Sequence, residues 1–260
     1  MQQLMSLSMK LQLADSGKER FPQVCPWGPF LQGALMEAID SDYASTLHAS
    51  PFNPYSQYCR GGDVEGELLW TVSTLTNEAA DQIIAPLMKL EEVKLHRAGK
   101  TFAVVQRRLA SQPLDVLSKG IFEEGSSRMK IDFLTPTAFK SQGDYVFMPT
   151  VRHICQSLLM RYSYLYNGSG EIDEETLSYI DAHTKIVSYR LNSHYFAHAA
   201  GGGKKIPAFM GSVTFGLGGG SAAAGLVRML AEFGEFSGVG IKTSMGMGAM
   251  SATPLPRQSA

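Results

Sequence analysis

Between residues 234 and 248 the chain reads Gly-Glu-Phe-Ser-Gly-Val-Gly-Ile-Lys-Thr-Ser-Met-Gly-Met-Gly. Five glycines (Gly234, Gly238, Gly240, Gly246 and Gly248) surround one cation, Lys242, and two hydroxyls, Thr243 and Ser244. A backbone with so few Cβ atoms can come close to a ligand. Successive N–H groups in such a loop form a concavity suited to an anion. The run lacks the upstream glycine spacing of a nucleoside-triphosphate loop, and it follows a helix-like segment instead of opening one. No strand-turn-helix unit surrounds Gly238-Val239-Gly240, so it is no dinucleotide fingerprint. A tight bend alone needs fewer glycines.

His48, in Thr46-Leu47-His48-Ala49-Ser50-Pro51-Phe52, is the second candidate. An imidazole titrates near neutrality and can move a proton. A lone histidine after a helix also serves as a dipole partner or a packed ring, and the sequence leaves these alternatives open. Tyr43, Tyr55 and Tyr58 flank it and could assist. His194 and His198 read as strand residues on one face, about 13 Å apart. With no carboxylate near them in sequence, no metal site is expected. His96 beside Arg97, and His153 beside Arg152, read as surface residues able to touch phosphate.

These groups must be positioned by a chain of 260 residues, 44 % apolar, enough for one large domain or two small ones. The net charge of −1 argues against a nucleic-acid binder, but its distribution argues back. Residues 94–165 carry eleven Lys/Arg against five Asp/Glu, and residues 176–260 carry seven against three. Acidic stretches between them mask two basic regions, and a local field is what steers a polyanion. Cys25, Cys59 and Cys155 are odd in number and widely spaced, which suggests reduced thiols in a cytoplasmic protein. No apolar run approaches membrane-spanning length, and no secretory signal is read at the start.

Leu7, Met9, Leu11 and Leu13 alternate as a strand, and residues 30–39 have helical periodicity. Residues 40–56 read as a polar loop broken by Pro51 and Pro54. Strand 67–75, a helix 78–89 capped by Asn77, and strands 93–96 and 101–110 follow. The second half repeats the plan, with strands at 128–134, 185–197 and 206–217, helices at 150–166 and 221–233, and a closing strand near Met250. The fold class expected is α+β, two tandem ferredoxin-like domains of β-α-β-β-α-β order. Their expected bounds are 1–115, carrying the histidine, and 126–252, ending in the glycine-rich loop.

Residues 237–248 resemble the signature loop of the CRISPR-associated endoribonucleases of the Cas-six family, within the RAMP superfamily. Phe30-Leu31-Gln32-Gly33 with Leu47-His48 is similar to that family's first helix and catalytic histidine. Phe133 to Lys140 resembles the start of its second domain, and Gly211 to Phe215 the strand before its last helix. The resemblance spans nearly the whole chain in order. It implies a metal-independent nuclease without cofactors that processes CRISPR precursor transcripts by cutting repeat RNA. The 2′-hydroxyl would attack the adjacent phosphorus, leaving a 2′,3′-cyclic phosphate and a 5′-hydroxyl. His48 would be the acid or base, helped by Tyr43 or Tyr55. Gly238, Gly240, Lys242, Thr243, Ser244 and Gly246 would hold RNA backbone, with Arg190, Lys204 and Lys205 gripping an adjacent strand or duplex. One departure stands out. Many relatives have a tyrosine on the first helix and a lysine shortly after the histidine; here Met36 takes the helix position and no lysine lies between Asp42 and Lys89. The alternative reading is a non-catalytic crRNA-binding RAMP subunit of a CRISPR effector complex. The partners implied are repeat RNA and such a complex, with no membrane, for a monomer or homodimer.

Overall fold

The computed structural model describes residues 1–14, 19–24, 26–122, 125–171, 173–197, 205–218 and 221–256. Alternation forms β1 (Gln3–Leu13), which buries Leu7, Met9 and Leu11. α1 (Gly28–Ala38) carries Pro29 in its first turn, where a missing N–H costs nothing. It buries Leu31 and Leu35, one turn apart, in the same core.

Residues 40–56 are not the broken loop expected from the sequence. α2 (Ser41–Ala49) forms at once, because the Asp40 carboxylate accepts from the N–H groups of Asp42 and Tyr43 at 3.0 and 3.1 Å. His48 therefore stands in the last turn of a helix. Tyr55 then opens an unanticipated strand, β2 (Tyr55–Gly61), which pairs with β3 (Glu67–Thr74). A helical run follows, made of α3 (Asn77–Ala79), a π turn (Ala80–Ile84) and α4 (Ala85–Leu87). Thr76 caps it, its Oγ1 accepting from Ala79 N–H at 3.1 Å. Asn77 instead ties down the start of the chain, accepting from Gln3 N–H at 2.9 Å. β4 (Glu92–Leu95) and β5 (Lys100–Pro113) close the unit as a hairpin.

α5 (Leu114–Lys119) leads to β6 (Arg128–Thr137) and a small hairpin, β7 (Phe139–Ser141) with β8 (Asp144–Val146). Then come α6 (Val151–Asn167), α7 (Glu174–His183), β9 (Thr184–Ala197), β10 (Lys205–Leu217), α8 (Ser221–Ser237) and β11 (Met250–Leu255). The sheet orders are β2-β3-β1-β5-β4 and β11-β6-β10-β9, antiparallel throughout. The second is the 4-1-3-2 order of a ferredoxin-like unit. The first has the same order, with β4 added at its edge. The fold is α+β, with two ferredoxin-like units in tandem. Ile154 and Leu158 of α6 and Leu230 and Phe233 of α8 cover the second sheet, packing with Ile131, Val213 and Phe215.

The units touch where α1 begins. A Cβ added at Gly28 would lie 2.1 Å from the carbonyl oxygen of Met245, in the glycine-rich segment of the other unit. Backbone there cannot retreat without parting the units. Gly28→Ala is expected to lower stability by about 1–3 kcal/mol, read as a lower urea midpoint with an unchanged m-value.

Candidate active site

The glycine-rich segment is a packed crossing between α8 and β11. The N–H groups of Val239, Gly240, Ile241, Gly248 and Ala249 are bonded within the protein, which corrects the anion cradle read from the sequence at those positions. Val239 N–H donates to Gly248 O at 2.8 Å, Gly240 N–H to Ser157 Oγ at 2.7 Å and Ile241 N–H to Ala138 O at 3.0 Å. Gly248 N–H donates to Pro136 O at 3.1 Å and Ala249 N–H to Thr135 Oγ1 at 2.9 Å. Gly238, Gly240 and Gly246 all have positive φ, and at Gly240 a Cβ would also meet Ala138 O at 2.3 Å. The glycines therefore allow close backbone packing within the protein.

Two buried side chains hold the segment from opposite sides. Arg161, on α6, donates from Nη1 to Ser237 O at 3.1 Å and to Thr243 Oγ1 at 2.6 Å, and from Nη2 to Gly240 O at 3.5 Å. Burial pulls its pKa down to about 10, so it remains a cation at neutral pH. Gln57, on β2, donates from Nε2 to Ser244 O at 2.8 Å and to Gly28 O at 3.1 Å. Its Oε1 accepts from Trp70 Nε1–H at 2.6 Å. Thr243 and Ser244 are themselves buried, so their hydroxyls are structural.

His48 is exposed and opens onto a groove of about 470 Å³. α1 supplies Gln32, Met36 and Glu37 to its walls, and the glycine-rich loop supplies Met245. β4 adds Lys94, and the β4–β5 turn adds His96 and Arg97. Lys94 pairs with Glu92 at 2.6 Å, and that hydrogen bond raises its pKa. His96 Nε2 lies 3.3 Å from Glu37 Oε2. Lys242, at φ 55, is half-buried with Nζ 3.8 Å from the sulfur of Met245, and burial lowers its pKa. Its ammonium thus sits beside the Met245 side chain that lines the groove.

The other expected site residues fall elsewhere. Tyr55 is 1 % exposed, with its hydroxyl accepting from Gln32 Nε2 at 3.3 Å, and burial raises its pKa. Tyr43 is pushed up to about 12 by burial and then by the negative charge of Glu78. Neither ring is among the side chains that line the groove. Arg190 on β9 and Lys205 at the start of β10 are exposed but do not border it either. Lys204 and His198 lie outside the described residues. The sequence reading passed over Lys94, Gln57 and Arg161. Arg161 had a legible signal: it continues the buried stripe Ile154, Leu158 of α6, where a charge is out of place.

The description "CRISPR-associated endoribonuclease Cas6" belongs to the family model matched by residues 131–250. A Mycobacterium tuberculosis (strain CDC 1551 / Oshkosh) protein of that name is 39 % identical over 259 residues, covering 98 % of this chain and 80 % of that protein. One from Streptococcus thermophilus is 39 % identical over 222 residues, covering 84 % and 88 %. The chain belongs to the CRISPR-associated endoribonuclease Cas6 family. The enzyme class that the resemblance implied, an endoribonuclease, is that of the Cas6 family. The fold is also that of a solved Cas6 product complex, with TM-score 0.74 and 23 % identity over 96 % of this chain and 99 % of that one. Thermus thermophilus Cas6 gives TM-score 0.71 at 19 % identity over 97 % and 99 %. Within a Cas6 fold, Arg161 is a burial to be tested. Arg161→Met strips Ser237 O and Thr243 Oγ1 of their donor and is expected to cost about 2–4 kcal/mol. Chemical denaturation measures it, and Arg161→Lys should fall between the two.

Proposed function

We propose that this protein cuts CRISPR repeat RNA in the His48 groove, by metal-independent attack of the 2′-hydroxyl on the adjacent phosphorus. The products are a 2′,3′-cyclic phosphate and a 5′-hydroxyl. One observation carries the reading: an exposed imidazole shares an open groove with the side chains of Lys94 and Arg97, bounded by the loop of the second unit. The reaction needs a base for the 2′-OH proton, an acid for the departing 5′-oxygen, and a cation beside the phosphate as its charge grows. His48 moves the proton as base or acid. Lys94 and Arg97 offset the phosphate charge, with Lys242 adding field from beside Met245. Lys94 thereby takes the part of the lysine missing after the histidine. Because RNA brings its own nucleophile, the groove needs no activated serine or cysteine, and a substrate without the 2′-OH is inert. Met36 stands in the groove wall beside the imidazole, so α1 offers a thioether there and no hydroxyl.

The test is single-turnover cleavage of repeat RNA in chelator. His48→Ala should slow it by about 10²–10⁴-fold while RNA is still bound. Lys94→Ala should slow it by about 10²-fold. A single 2′-deoxy substitution at the cut should abolish product. Full cleavage by His48→Ala, or cleavage of the deoxy substrate, refutes the mechanism.

A further inference from the structure

The glycine-rich loop has a second face. Apart from the His48 groove, Gly240 and Ile241 wall a separate cleft of about 380 Å³ between α6 and the β7–β8 hairpin. Two aromatic groups line it. The His153 ring lies nearly parallel to Phe139, with centroids 5.6 Å apart and planes at 20°. Its orientation is set locally: Thr150 caps α6 by accepting from His153 N–H at 3.1 Å, and its Oγ1 lies 3.0 Å from His153 Nδ1. Phe52 contributes the second ring and rests against Tyr164 at 5.2 Å. Two cations reach the same space, exposed Lys140 on β7 and Arg152 on α6. Arg152 pairs with Glu174 at 2.6 Å, where both side chains are well solvated. Such a pair is weak and readily exchanges one carboxylate for another anion. Among the described residues, no carboxylate lines the cleft itself. Burial, and then the Arg152 charge, hold His153 below its usual pKa, so at neutral pH it presents an uncharged flat ring.

Rings for stacking, cations for phosphate and a wall of glycine backbone together suit a nucleotide. We infer that this cleft is a second RNA subsite, which takes one unpaired ribonucleotide of the substrate, its base against Phe52 and His153 and its phosphate against Lys140 and Arg152. The inference rests on the RNA-cleaving reading above and specifies how that substrate is gripped away from the cut. The volume is at the small end of ligand pockets, sized for a single residue of a strand and not for a duplex. Gly240 and Met245, which wall the two cavities, are at most about 18 Å apart along the chain. A short unpaired stretch of RNA can therefore bridge from the groove across the loop.

Fluorescence anisotropy of the full-length protein with a labelled transcript of the repeat from its own array, in chelator and over a range of salt, tests this. Phe52→Ala should weaken binding about tenfold without altering the salt dependence, because stacking is uncharged. Lys140→Glu should weaken it and lower the slope of log K against log salt by about one, the mark of a lost phosphate contact. Exposed Lys140 leaves folding intact, so its variant decides even if Phe52→Ala is unstable. Wild-type affinity and slope in Lys140→Glu overturn the subsite while leaving the cleavage reading standing. Failure of the unaltered protein to bind the transcript overturns both.

Discussion

Gln57 and Arg161 reach the glycine-rich loop from different ferredoxin-like units, and both are almost wholly withdrawn from water. A buried amide or guanidinium without partners is costly, so the Gln57 amide and the Arg161 Nη groups find acceptors only if the loop carbonyls and the Thr243 hydroxyl stand where they do. The loop carbonyls are in turn buried and need those donors. The mutual requirement fixes the loop against the start of α1, where Gly28 leaves room for the Met245 backbone. Ser56 adds a further tie, its Oγ donating to Phe236 O at 2.6 Å. The groove at His48 inherits its far wall from this junction. A disturbance in the second unit therefore reaches an imidazole carried by the first.

This changes what the glycines are for. The N–H groups of Gly240, Ile241, Gly248 and Ala249 are spent on Ser157, Ala138, Pro136 and Thr135 inside the second unit. Positive charge at the groove comes instead from exposed Lys94 on β4 and Arg97 on the β4–β5 turn, and from a half-buried Lys242. Solvated ammonium and guanidinium groups are screened by salt, whereas a ring of backbone N–H groups is screened less. The rigid part of the site thus supplies shape, and the adaptable part supplies charge.

Much of the architecture was legible in the chain. Alternation in β1, the three-four spacing of α1 and the repeated order of elements gave both units. β2 was hidden because Ser56 and Gln57 are polar yet buried, satisfied by Phe236, Ser244, Gly28 and Trp70, all distant in sequence. Hydrophobic periodicity is blind to such residues. α2 was hidden because Asp40 and a mostly solvated face carry it, with Leu47 its single buried side chain. The importance of the glycine run was readable. Whether its N–H groups face in or out was not, since their acceptors belong to other elements. Lys94 escaped notice for a related reason: it shares a groove with His48 only when the β4–β5 hairpin folds alongside α1. Of the tyrosines near His48 in sequence, Tyr55 is buried on β2 and Tyr43 is half-buried on α2, a difference that sequence proximity to the imidazole does not reveal.

The central claim is that catalysis happens at His48, in a groove closed by the loop of the other unit. A crystal structure of the protein with repeat RNA blocked by a 2′-deoxy substitution at the cut site tests it most directly. The account predicts the scissile phosphate between α1 and Met245, with a His48 ring nitrogen about 3 Å from the 2′-carbon's substituent site or the 5′-oxygen. A scissile phosphate bound elsewhere, with the imidazole turned to open solvent, would contradict it.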